Sequence, residues 1–296
     1  MKTLLAILAH PDDESFGIGG TLAKYAADGV AVHYLCGTRG ESGTVDADRL
    51  HGFDDIAALR TAELECAARE LGLAGVHFLG YRDSGMAGSA DNALAGTLHG
   101  APLDEVADRI AAHVDALQPD LIVTHDQFGG YGHPDHIKLH AATLRMYERK
   151  YGVTIDVSQW NGGVRAPKLN VVGKGAAPAL YFTVFPKGLI RFGVRLLPLF
   201  RQNPRRFGRN GDIDLVQIAS WEVPATTVVD TRKFAVHKER ASACHASQQA
   251  PAQRSPIVRW IFRRGAGKEY FSRVYPSSEI AGTAAPGRVH EKGLLA

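Results

Sequence analysis

Thr3-Leu4-Leu5-Ala6-Ile7-Leu8-Ala9 runs without a charge into His10-Pro11-Asp12-Asp13-Glu14. A short apolar run closed by a proline-bearing polar turn reads as a buried strand, residues 4–9. The pattern then repeats. Strand-like runs follow at 30–36, 76–79 and 121–125, with helix-like stretches between them at 21–28, 54–71 and 103–117. Gly29 and Gly72 stand where the first two helices should stop, and Pro119 follows the third. A further helix is expected from Pro134, a good first-turn residue, to about Lys150. Strands alternating with helices imply right-handed crossovers and an α/β fold, its mostly parallel sheet covered by helices on both faces. In such a sheet ligands bind beyond the carboxyl ends of the strands. The segments leaving those ends here (10–17, 37–45, 80–88 and 125–136) hold most of the unusual polar residues of the first half.

The second half is less regular. Residues 179–185 and 226–229 look like strands, 231–249 looks helical, and the Gly-rich 161–177 reads as a loop. The expected division is a catalytic core over 1–150, a part completing the fold and the substrate cleft over 151–280, and a mobile tail over 281–296.

Bulk properties exclude several classes. A chain of 296 residues with 45% hydrophobic residues can bury a large core unaided. The three cysteines are scattered and form no C-x-x-C pair, so thiolate zinc sites are out. Cys36 and Cys66 read as small buried residues of a reducing compartment. The apolar start is too short for a signal peptide, and no run approaches a membrane span, so a soluble cytoplasmic protein is expected. The net charge of +3 is local in origin. Seven basic residues and no acidic one lie between Lys187 and Arg209, and without them the chain carries −4. That is no nucleic-acid signature.

A second polar knot, His133-Pro134-Asp135-His136, also follows an apolar run. Neutral imidazoles and carboxylates bind divalent metals, and two such knots at strand ends suggest one site. His10 and Asp13, three apart on a turn, suit one ion, and His136 would be a third donor. Two imidazoles and a carboxylate leave room for water, the pattern of a catalytic centre. His140 forms an i, i+4 pair with His136 that also suits chelation. Spacing therefore leaves open which imidazoles bind and whether Asp12 or Asp13 does. The same donors serve Fe(II) or another divalent ion, but hydrolysis favours zinc.

The two knots, in this order, resemble the motifs of the PIG-L/LmbE-like N-acetylglucosaminyl deacetylases. Arg60-Thr61-Ala62-Glu63, Arg82-Asp83-Ser84-Gly85-Met86 and Gly129-Gly130-Tyr131-Gly132-His133 are similar too, the last especially to mycothiol-pathway deacetylase and amidase members. The likeness covers roughly residues 3–150 and returns weakly at His245-Ala246-Ser247-Gln248. It implies a Rossmann-like fold and a zinc-dependent hydrolase removing acetyl from an N-acetylglucosamine-containing compound. By the same resemblance His10, Asp13 and His136 hold Zn2+, and Asp12 is the general base. His133 stabilises the oxyanion or donates a proton, Asp135 orients His133 and Tyr131 assists. Arg60, Asp83 and Glu41 would bind substrate. His245 alone reads as structural.

The rival readings are an amidase acting on a thiol-sugar conjugate, a dinucleotide-binding oxidoreductase and a non-catalytic carbohydrate-binding relative. Gly17-x-Gly19-Gly20 supports the oxidoreductase weakly, because Asp12, Asp13 and Glu14 would repel a pyrophosphate. The basic, apolar stretch 188–200 suits contact with an anionic membrane surface, a lid, a subunit contact within a homo-oligomer or a solvated face.

Overall fold

The computed structural model describes residues 1–157, 176–185, 187–207, 211, 213–249, 267–276 and 291–295. The expected loop at 161–177 falls almost wholly outside them. Strand β1 (Thr3–Leu8) is flanked by β2 (Ala31–Cys36) and β4 (Leu121–Thr124), with β3 (Gly75–Phe78) beyond β2 and β5 (Ala179–Val184) beyond β4. All of these neighbours run parallel. The sheet continues past β5 through β7 (Lys268–Tyr275) to β6 (Thr227–Asp230), both pairings antiparallel, and ends on β8 (Glu291–Lys292), parallel to β6. The α/β, mostly parallel expectation is met. The tail is anchored where it is described: β8 pairs with β6, and Leu294 is buried.

The apolar run of β1 feeds two cores. Leu5, Ile7 and Ala9 face one side with α4 (Leu103–Leu117) and α6 (Pro134–Tyr151). Leu4, Ala6 and Leu8 face the other with α2 (Gly19–Ala27), α3 (Ile56–Leu71) and α9 (Ala235–Cys244). A strand buried on both faces needs no polar alternation, which is why this run reads as continuously apolar. Helix α3 is capped by Asp55, whose carboxylate accepts from Ala58 N, and ends at Gly72 with φ 70°.

Strand order reverses at β1: β2 and β3 lie to one side, β4 and β5 to the other. A crevice therefore opens between the carboxyl ends of β1 and β4. His10 leaves the first strand there, and the segment holding His125, His133 and His136 leaves the second.

Two expectations need correction. Cys66 on α3 is disulfide-bonded to Cys244 at the end of α9, 178 residues away, and only Cys36 is a free buried thiol. Disulfides persist in oxidising surroundings, so the cysteines give no support to a reducing compartment. Replacing Cys66 with serine should cost about 2–4 kcal/mol in a denaturant titration. Wild-type protein under reducing conditions should lose the same amount, and equal midpoints would refute the tie. The dinucleotide reading also fails. Gly20 N and Thr21 N, at the start of α2, donate to the buried Glu269 carboxylate at 3.1 and 2.7 Å. A Cβ at Gly20 would meet Thr231 Cβ at 2.6 Å, so this glycine serves packing, and the helix start already holds an anion.

Among the described residues no helix is long and apolar enough to cross a membrane. The basic stretch forms α7 (Gly188–Leu196), with Phe192 and, beyond it, Leu199 exposed. Arg191 pairs with Glu222, and Arg205 with Asp214.

Candidate metal centre

After β1 the chain turns sharply at Pro11, and Asp12 takes φ 132°, ψ −26°, a conformation L residues rarely adopt. Such backbone costs of order 1–3 kcal/mol and persists only where the surroundings hold it. Here Glu14 Oε2 accepts from Asp12 N at 2.9 Å, and Asp12 O accepts from the amides of Ser15 and Phe16. The turn projects His10, Asp12 and Asp13 beyond the sheet. From β4 the chain passes through a glycine-rich turn, Gly129–Gly132 (α5), into α6, with Pro134 in its first turn. A Cβ at Gly129 would lie 2.7 Å from His136 Cβ, so only glycine permits this approach.

Three donor atoms converge. His10 Nδ1 lies 3.1 Å from His136 Nε2 and 3.6 Å from Asp13 Oδ2, which is 3.3 Å from His136 Nε2. Tetrahedral ligands at roughly 2.1 Å from an ion stand about 3.4 Å apart. The tautomers fit as well. His136 Nδ1 donates to Gly129 O at 3.1 Å, which leaves Nε2 bare. His10 Nε2 faces Asp135 Oδ2 at 3.3 Å and Asp83 Oδ1 at 3.6 Å, both acceptors, so Nδ1 is the bare nitrogen. Two lone pairs and a carboxylate aimed at one point repel each other unless a cation lies between them, and outer hydrogen bonds of this kind fix metal-binding histidines. Asp12, Asp13, Asp83 and Asp135 surround the site, with Arg60 in direct ion pairing with Asp12. The donor set fits a divalent metal.

Other groupings of donors exist. His10 with His133 and His136, Asp13 with His125 and His136, and His10 with Asp83, His133 and Asp135, are also clustered closely enough to hold an ion. His125 Nε2, however, already accepts from Ala9 N at 3.1 Å, and its ring stacks on His136 at 3.8 Å. Asp135 is taken up by Ser84, through N at 3.0 Å and Oγ at 2.5 Å. His140 Nδ1 lies 3.0 Å from His125 O, and the ring packs on Phe182, so the i, i+4 pair with His136 does not chelate.

A cavity of about 370 Å³ opens beside the donors, with His10, Asp12 and His133 among its lining. Burial pushes the Asp12 carboxyl up to about 6, against the pull of Arg60. His133 is held below its ordinary value by burial and by His10 and His136, so it is neutral. Its Nδ1 accepts from Asp135 N at 3.2 Å, which leaves the proton on Nε2. Tyr131, 37% exposed, lines the cavity too.

The structure places several of the expected site residues as follows. The Asp135 carboxylate contacts His10 and Ser84 rather than His133, which it meets only through its backbone N–H. Arg60 is buried, and Nη2 donates to Asp12 Oδ2 at 2.8 Å and to Pro11 O, while Nη1 donates to Gly40 O. It borders the cavity, but those donors serve Asp12 and the loops. Glu41 does not line the cavity: its carboxylate accepts from Arg39 N and Asp83 N, fixing the loop. Asp83 does line it, and also closes a turn by accepting from Gly85 N at 2.8 Å. Unforeseen contributors are Ser84, Glu14 and the lining residues Ile213 and Gln248 from the second half. Only the His245–Gln248 likeness hinted at the last.

The PIG-L family model, described as GlcNAc-PI de-N-acetylase, matches residues 5–147. The chain is 34% identical over 254 residues to 1D-myo-inositol 2-acetamido-2-deoxy-alpha-D-glucopyranoside deacetylase of Actinosynnema mirum, covering 83% of this chain and 80% of that one. The Streptomyces avermitilis protein of the same name is 35% identical over 256 residues, 83% of each chain. Among solved structures, N,N'-diacetylchitobiose deacetylase from Pyrococcus horikoshii matches with a TM-score of 0.55 at 21% identity, over 92% of this chain and 83% of that one. The 4-carboxy-2-hydroxymuconate hydratase GalB of Pseudomonas putida matches at 0.52 and 19%, over 94% and 98%. The two solved structures show the fold alone, and that fold carries different reactions.

Proposed function

The chain belongs to the PIG-L family, and from that premise we propose that it removes the acetyl group from an N-acetylglucosaminyl unit joined to a neutral polyol, using zinc. The observation that carries the reading is the triangle of His10 Nδ1, Asp13 Oδ2 and His136 Nε2 beside the Asp12 carboxylate. Those three residues would hold the ion, which supplies Lewis acidity toward water and the acetyl carbonyl. Asp12 takes the proton released by the attacking water, a role suited to a carboxylate kept ionised by Arg60. His133, neutral and with its proton on Nε2, donates to the oxyanion, and the Tyr131 hydroxyl stands on the same cavity wall. Losing one such donor costs on the order of 100- to 1000-fold in rate. The proton gained by Asp12 is the one at hand for the departing nitrogen.

Charge supports the choice of substrate. Asp12 and Asp83 are the acidic side chains among the described lining residues, and Arg60, the one Lys or Arg there, is engaged by Asp12. Among the described lining residues a phosphate or carboxylate would meet no free cation, whereas hydroxyls suit Asp83, Ser42, Thr44 and Gln248. The Actinosynnema mirum relative is named for the inositol glycoside of 2-acetamido-2-deoxyglucose, which is neutral. Acetate release from N-acetylglucosaminyl-inositol should exceed that from its phosphorylated or malate counterpart by at least about tenfold in kcat/KM. Faster turnover of the anionic compounds would refute the neutral-polyol assignment, and no release from any of them would refute the deacetylase reading.

A further inference from the structure

We propose that His245 is a positioning residue for Asp12: by gripping Glu14 it fixes the strained peptide from which the Asp12 carboxylate is aimed. The inference rests on the reading of Asp12 as the base.

Asp12 is held at two points. Arg60 grips its carboxylate, and Glu14 grips its backbone N–H. Glu14 is fully buried, and a buried carboxylate keeps its charge and position only if hydrogen-bonded or paired. Its Oε2 is the acceptor for Asp12 N. Its Oε1 accepts from Ser15 Oγ at 2.6 Å and lies 2.6 Å from His245 Nε2. His245 is 0% exposed, and its Nδ1 has no hydrogen-bond partner among the described residues, so its imidazole's polar attachment there is Glu14. It does not line the cavity.

The histidine is itself anchored from the helix that carries the other clamp. His245 caps the end of α9, a favourable place for a ring that donates or bears positive charge. Cys244, just before it, is bonded to Cys66 on α3. Ser247, just after it, donates through N and Oγ to the two oxygens of Glu63 on α3, at 2.8 and 2.7 Å. Helix α3 also carries Arg60. One frame thus holds both grips on Asp12, the side-chain grip directly and the peptide grip through His245 and Glu14. A ring that merely filled space would not need its nitrogen on the carboxylate that holds Asp12 at φ 132°.

The test compares His245→Met, which removes the donor, with His245→Gln, whose amide reaches the same point. Acetate release, KM and bound zinc are measured for both, with Asp12→Ala as reference. The Met variant should lose roughly 10- to 100-fold in kcat, the scale of a displaced catalytic group, with KM and zinc content unchanged. The Gln variant should recover most of that loss, and the Met exchange should cost nothing further in an Asp12→Ala background. If His245→Met fails to fold, His245→Asn, too short to reach Glu14, replaces it with the same expectations. A folded Met or Asn variant with wild-type kcat overturns the proposal, as does a rise in KM alone or equal impairment of the Gln variant. Normal turnover in Asp12→Ala would instead overturn the assignment of the base, and this inference with it.

Discussion

Asp12→Ala will bind its metal ion at wild-type stoichiometry yet release acetate on the order of 100- to 10,000-fold more slowly, the span of a lost general base. The expectation follows from where the carboxylate sits. Its Oδ2 is directed to Arg60 at 2.8 Å, outside the triangle of His10, Asp13 and His136, so its removal takes away no ligand. The exchange also leaves a buried guanidinium with carbonyl partners only, which costs on the order of 3 kcal/mol. Asp12→Asn separates the two effects: it can still accept from Arg60 but cannot take a proton, so it should be as slow as the alanine variant and more stable. Metal analysis, steady-state rates and melting on the same preparations check all three statements. Turnover within a few-fold of wild type in either variant would mean that another group serves as base.

His136→Ala will lose both metal and turnover. His136 Nε2 is close to the other two donors at once, 3.1 Å from His10 Nδ1 and 3.3 Å from Asp13 Oδ2. Its ring is oriented by Gly129 O and by stacking on His125. Mutation of an outer hydrogen-bonding partner already costs 10- to 100-fold in metal affinity, so loss of the ligand itself should exceed about 100-fold. After gel filtration without added metal the variant should carry no ion, and added zinc should not restore acetate release at concentrations that saturate wild type. Full metal content in the purified variant would place the ion elsewhere, most simply on the Asp83, His133 and Asp135 side of His10.

The sequence made the first half legible because a strand buried on both faces leaves an unbroken apolar signature. Helix α4 falls at 103–117, as its spacing predicts, and the strand ends lie within a residue or so of expectation. Both knots then had to meet, since β1 and β4 are neighbours. What escaped depends on side-chain direction and on distant pairs. Strand β7, Lys-Glu-Tyr-Phe-Ser-Arg-Val-Tyr, mixes charge with aromatics and gives no clear apolar run. The Asp135 carboxylate turns to Ser84, 51 residues away, which no local rule favours over His133. Cys66 finds Cys244 across 178 residues, and Glu14 finds His245 across 231. A lone histidine in an amphipathic stretch carries no mark of such a partner.

Anomalous scattering from crystals of the zinc-loaded protein tests the central claim most directly. The expected result is one strong peak in contact with His10 Nδ1, Asp13 Oδ2 and His136 Nε2, with the Asp12 carboxylate beside it and not bound to it. A peak held instead by Asp83, His133 and Asp135, or none between the two knots, would contradict it.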